Sequence, residues 1–206
     1  MLDAVIDISH FNGSPDWTSV QAAGILGVIH KATEGTAWVD PTLAAARTAI
    51  PAAGLLFGAY HFGTGDEEGS AQAQFFLDTV KPDARTLCVI DFEPNPSGTQ
   101  MSLDHLFGWI ETVQQATGRA PLVYGGNSLL FPQIGSDVHP TLAACPLWVA
   151  EYTSAAQPSG VPAQVWKTWT LWQYSESGIV NGVSGDVDRS RFNGTAAELT
   201  GWWTGS

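Results

Sequence analysis

A chain of 206 residues, 44% apolar and 14% charged, is long enough to bury a core without disulfides. Its mean hydropathy of +0.02 excludes the disordered class, which combines low hydrophobicity with high charge. Eight Lys and Arg against 20 Asp and Glu give a net charge of -12, which excludes a basic face able to neutralise a phosphate backbone or to dock on anionic lipid. No nucleic-acid partner and no membrane anchor are therefore expected. The longest apolar runs, such as 52–60, are broken by Gly and fall short of the roughly 20 residues that a spanning helix needs. The first residues hold no basic stretch leading into an apolar one, so no secretory signal peptide is expected. Cys88 and Cys145 lie in runs that read as buried strands, where free thiols behave as small hydrophobes; a chain this long does not require them to pair, although pairing stays open.

Short β-branched or aromatic runs alternate with longer Ala-rich segments of helical period, each closed by Gly or Pro. In chain order they read as strand 4–9, helix 16–23, strand 27–33, helix 41–53, strand 55–62, helix 67–80, strand 86–93, helix 102–117, strand 121–124, helix 140–144, strands 146–152 and 170–174, a weaker strand near 185–188, and helix 195–203. Such alternation predicts an α/β fold with a largely parallel sheet, either doubly wound or closed into a barrel. The turn after the first strand, Ser9-His10-Phe11-Asn12-Gly13-Ser14-Pro15, has neither a GxGxxG fingerprint nor a P-loop, which argues against a nucleotide-binding doubly wound fold. Nearly every strand instead ends on a polar or aromatic residue, and in a barrel those ends converge on one rim. The expected architecture is a single irregular (β/α) TIM-like barrel with some helices abbreviated, one domain over 1–206.

The sharpest signal is Leu87-Cys88-Val89-Ile90-Asp91-Phe92-Glu93-Pro94, an apolar strand ending in two carboxylates. Positions i and i+2 of a strand share a face, with Cα atoms about 6.6–6.8 Å apart, so Asp91 and Glu93 are expected to project together. Two carboxylates this close cannot both ionise freely, which keeps one protonated as an acid beside an anion; the alternative is a pair that merely solvates a strand end. Asp7, closing an otherwise apolar strand, is either a turn former or a third carboxylate at the same rim. Asp188 is either a fourth or, with Asp186, a loop partner of Arg189 or Arg191. No EF-hand loop or HExxH motif occurs and the histidines are scattered, so no metal and no cofactor are expected. Nine Trp serve mostly as core, but Trp148 and Trp172 near strand ends, with Tyr60, Tyr124, Tyr152 and Tyr174, suit stacking on sugar faces. His61 and Gln173 fit such a cleft, although a lone His beside an apolar run is more often structural. Glu34 is either a binding residue at the rim or a loop residue paired with Lys31.

Together these segments resemble the glycoside hydrolase family 25 lysozymes, the muramidases of phages, bacteria and fungi. The matching stretches, in family order, are Asp7-Ile8-Ser9-His10, Lys31-Ala32-Thr33-Glu34-Gly35, Gly58-Ala59-Tyr60-His61-Phe62, Ala73-Gln74-Phe75-Phe76-Leu77, Asp91-Phe92-Glu93, Pro146-Leu147-Trp148-Val149-Ala150, Leu171-Trp172-Gln173-Tyr174 and Asp188 through Gly194. The resemblance implies an irregular (β/α) barrel that cleaves the β-1,4 bond between N-acetylmuramic acid and N-acetylglucosamine in peptidoglycan. It implies Glu93 as general acid with Asp91 as its strand partner, Asp7 and Asp188 as further acidic positions, and Tyr60, His61, Tyr124, Trp148 and Gln173 as sugar contacts. Ser190 stands where many members carry Asn. The expected partner is the glycan strand, met by a monomer at the bacterial cell wall after phage or prophage lysin release or another export route. Two other readings compete: a non-catalytic wall-binding module, and a glycosidase acting on chitin-type polymers.

Overall fold

The computed structural model describes residues 1–205; Ser206, the last residue of the expected domain, lies outside the described residues. Nine strands form one sheet: β1 (Leu2–Ile8), β2 (Gly27–Glu34), β3 (Trp38–Val39), β4 (Leu56–Phe62), β5 (Leu87–Asp91), β6 (Leu122–Gly126), β7 (Leu147–Ala150), β8 (Leu171–Gly178) and β9 (Val187–Phe192). Their order is β1-β9-β8-β7-β6-β5-β4-β2-β3, and a β1–β2 pairing closes eight of them into a barrel with β3 outside the ring. Pairing is parallel from β1 through β2, β4, β5, β6 and β7 to β8. The expected largely parallel barrel is thus present, with one departure: β9 runs antiparallel to both β8 and β1. A hairpin replaces the last crossover, which is why no helix separates β8 from β9.

Helices cover the outside: α1 (Trp17–Ala22), α2 (Leu43–Ala52), α3 (Gly69–Val80), α4 (Leu103–Thr117), α5 (Leu130–Ile134), α6 (Pro140–Ala143) and α7 (Ala196–Thr204). Their starts follow capping chemistry. The Asp16 carboxylate accepts from Thr18 and Ser19 at the head of α1, the Ser102 hydroxyl accepts from His105 at α4, and Thr195 with Glu198 forms a reciprocal capping box at α7. Helix α5, strand β3 and a 3-10 turn over His10–Asn12 are additions to the expected elements. All three are too short for a periodic signal to accumulate.

The strand period of two sorts the apolar residues into two cores. Ile6, Val28, Ala59, Ile90, Val123, Val149 and Trp172 face the helices. Val5, Ile29, Leu87, Val89, Leu122, Trp148 and Leu171 fill the barrel. Trp203 of α7 closes the bottom: its indole nitrogen donates to the Phe57 carbonyl at 3.0 Å, and its ring packs where a Cβ on Gly27 would sit only 2.7 Å away. Cys88 and Cys145 are both buried and free, and burial pushes each thiol up to about 12.

Candidate active site

At the opposite end of the barrel the same alternation aims polar groups inward. Above Val5 comes Asp7, above Leu87 and Val89 comes Asp91, above Leu122 comes Tyr124, and above Leu171 comes Gln173. These four line a pocket of about 230 Å³ together with Tyr60, Glu93, Trp148, Tyr152, Glu176 and Asp188. All four proposed carboxylates therefore share one cavity. Glu93 reaches it from the loop beyond β5 rather than from the strand, since β5 ends at Asp91; the expected strand through 93 is two residues too long.

Burial dominates the electrostatics. Desolvation, reinforced by Glu93, holds the Asp91 carboxyl well above the usual range, while Lys31 opposes it. Glu93 is raised by burial and by Asp188, again against Lys31. Asp7 and Asp188 stand directly opposite across the β1–β9 ladder and share a hydrogen bond. Burial and then Asp188 push Asp7 well up, and the Gln173 amide pulls it partly back. Asp188 is raised mainly by burial, with the Asp7 hydrogen bond lowering it. All four carboxyls are thus raised, so each holds its proton to higher pH than an exposed carboxyl, and each pair titrates as a unit. Asp91 Oδ1 is buried with no hydrogen-bond partner, an unsatisfied polar atom of the kind native interiors rarely keep without a functional reason.

The aromatic positions divide. Tyr60, Tyr124 and Trp148 line the pocket, and the Trp148 indole N–H donates to Ser190 Oγ at 3.0 Å, so the Ser at this departure from the family pattern keeps a hydrogen-bonding role. Trp172 faces the helices and donates to the Glu151 carbonyl at 2.7 Å. His61 is a correction: it does not reach the cavity. It is fully buried on the outer face of β4, bonded to Thr33 Oγ1 at 2.8 Å and Gln72 Oε1 at 3.1 Å and stacked on Trp109. Burial drops its pKa to about 4 and keeps it neutral. Tyr60 and His61 are neighbours in one strand, so both could never face the barrel; the period of two is the signal that separates them. Glu34 is the second correction: it lies outside the pocket, its carboxylate on Lys31 Nζ at 2.8 Å. Arg189 pairs with Asp3 at 3.0 Å and not with the aspartates near it in sequence.

Three functional positions escape sequence reasoning in part or whole. Lys31, which the sequence offers as a partner for Glu34, is the cation that counters both Asp91 and Glu93; its parity with the inward Ile29 of β2 is the available sign. Tyr152 looks in sequence like any other stacking residue at a strand end. Glu176 reaches the pocket because β8 carries register shifts after Gln173 and after Ser175, and no local sequence signal announces them.

Residues 6–183 match the family model for glycosyl hydrolases family 25. The chain belongs to this family. It is accordingly a glycoside hydrolase, although the matched segment stops short of β9 and Asp188, whose place in the site rests on geometry. The chain is 41% identical over 208 residues to Lysozyme M1 of Streptomyces globisporus, covering 94% of this chain and 69% of that protein. It is 30% identical to the N,O-diacetylmuramidase of Chalaropsis sp, covering 88% of this chain and 94% of that one. A crystal structure of the bacterial lysozyme from Streptomyces coelicolor superposes with a TM-score of 0.90 at 38% identity, over 99% of this chain and 97% of its own.

Proposed function

We propose that the chain, acting as one catalytic domain, hydrolyses the β-1,4 bond between N-acetylmuramic acid and N-acetylglucosamine in bacterial peptidoglycan, with net retention assisted by the substrate's own acetamido group. Glu93 is the general acid: raised by burial, it keeps its proton in the pH range where an ordinary glutamate has lost it, and gives that proton to the leaving glycosidic oxygen. The acetamido carbonyl oxygen attacks C1 as the bond breaks. Glu93, now a carboxylate, deprotonates the water that opens the resulting ring.

The observation that carries this reading is the convergence of the Asp91 and Glu93 carboxyls on one pocket. The pocket-lining Asp91 carboxyl suits acceptance from the acetamido N–H, whose alignment raises the nucleophilicity of the carbonyl oxygen. Family membership and the muramidase relatives support the substrate class. Action is at the cell wall, reached by phage-type lysis or another release route.

The test is release of reducing ends from purified peptidoglycan, with mass spectrometry of the products and NMR of the first-formed anomer. Disaccharide muropeptides ending in reducing muramic acid are expected. Glu93→Gln is expected to lower turnover by about 10²- to 10⁴-fold with the fold retained by circular dichroism. A fully active folded mutant removes Glu93 from the role of acid, and an inverted anomer removes acetamido assistance. Cleavage of chitin oligomers in preference to peptidoglycan, or binding without release, selects the competing readings.

A further inference from the structure

Gln173 is only 2% exposed, yet its amide occupies the centre of one pocket wall. Nε2 lies 3.0 Å from both Oδ1 and Oδ2 of Asp7. Oε1 accepts from the Tyr124 hydroxyl at 2.7 Å and from the Tyr152 hydroxyl at 2.8 Å. An amide oxygen has two lone pairs, so both are taken, and a phenol has one proton, so both phenol protons are committed.

We propose that Gln173 is a positioning residue for the glycosidase reaction: it holds the Asp7 carboxyl in place and draws the protons of Tyr124 and Tyr152 away from the cavity, so that both phenol oxygens meet the bound sugar as acceptors. This rests on the glycosidase reading above. It differs from a sugar contact, because Gln173 acts through its three partners. One side chain ties together β1, β6, the loop after β7 and β8, and it gives this wall a defined polarity. Hydroxyls and the amide N–H of an N-acetylhexosamine are matched there, whereas a carbonyl or carboxylate turned to the same wall faces lone pairs and is disfavoured. The Nε2 donor also favours the ionised form of Asp7 against burial and Asp188, which sets the distribution of protons within the Asp7–Asp188 pair.

The near-isosteric Gln173→Glu separates this role from simple packing. Ionised, the new side chain sets a carboxylate against Asp7; protonated, it regains a donor for Asp7 and a carbonyl for the tyrosines. On purified peptidoglycan its kcat/KM is expected to fall about 100-fold at neutral pH, the cost of a misplaced catalytic group. The ratio of variant to wild-type activity is then expected to rise as pH is lowered. A ratio that stays constant across pH in a folded variant overturns the proposal. Tyr152→Phe, at a half-exposed position, provides the second arm should Gln173→Glu fail to fold: loss of one acceptor is expected to raise KM by about 5- to 10-fold with a smaller change in kcat, and an unaltered KM overturns the proposal. Wild type assayed alongside distinguishes the two levels, since a folded but inactive wild type overturns the glycosidase reading itself and the proposal with it.

Discussion

The carboxyl of Asp91 illustrates a conflict between stability and chemistry at the level of one residue. Its folded-state pKa is raised well above 3.8, so the folded chain binds this proton more tightly than the unfolded chain. Its stabilising contribution is complete below the unfolded value and is lost as pH rises through the folded one. At neutral pH a buried group with an unpartnered Oδ1 is a net cost. Asp91→Asn is therefore expected to raise stability at pH 7 by about 1 kcal/mol while lowering activity sharply. Thermal melts across pH check the sign: the gain should vanish toward about pH 3, below the ordinary aspartate value, and a gain independent of pH contradicts the account. The activity profile tracks the same shifts, falling as pH rises through the raised pKa of Glu93. The inward set Asp7, Asp91, Tyr124 and Gln173 is legible in the sequence because each closes an apolar strand at the right parity. His61 is misplaced by any reading that weighs residue type before parity, and the role of Lys31 is set by approach in space, which spacing along the chain does not encode.

At the scale of elements, shifts of register decide what the strands deliver. Strand β8 slips by one residue between Gln173 and Ser175 and again before Gly178, and β2 slips between Lys31 and Thr33. Each slip reverses the parity of the residues beyond it, as bulges beside active sites commonly do. This is why Glu176 enters the pocket unforeseen and why Thr33, bonded to His61 on the outer face, does not continue the inward series of β2. Long periodic helices such as α3 and α4 are legible to within two residues, because their apolar stripes accumulate over several turns. The antiparallel β9 reads in sequence as a weak, shorter strand, its polar residues obscuring the alternation. Helix α7 contributes by insertion rather than by coverage. Trp203→Ala removes a fully buried indole and the donor to the Phe57 carbonyl, and is expected to cost about 3–5 kcal/mol, measurable by urea denaturation. A loss under about 1 kcal/mol would show that the barrel bottom collapses around the space.

For the whole molecule the governing quantity is the net charge of -12. A carboxylate-lined mouth approaching an anionic wall is repelled over the Debye length, about 10 Å at 0.1 M salt. Clearing of intact walls is therefore expected to quicken as salt is raised from about 10 mM to about 100 mM, with little change on short neutral glycans. Equal responses on the two substrates would show that encounter does not limit the rate.

Closure of the ring by β9 also sets the order in which the cleft is assembled. Asp7 leaves the ribosome before almost all of the barrel, whereas its partner Asp188 lies on the strand that joins β8 back to β1. Until β9 is made, β1 and β8 are open edges and the carboxylate set is incomplete. A nascent chain that lacks β9 therefore carries neither the closed ring nor Asp188 of the cleft.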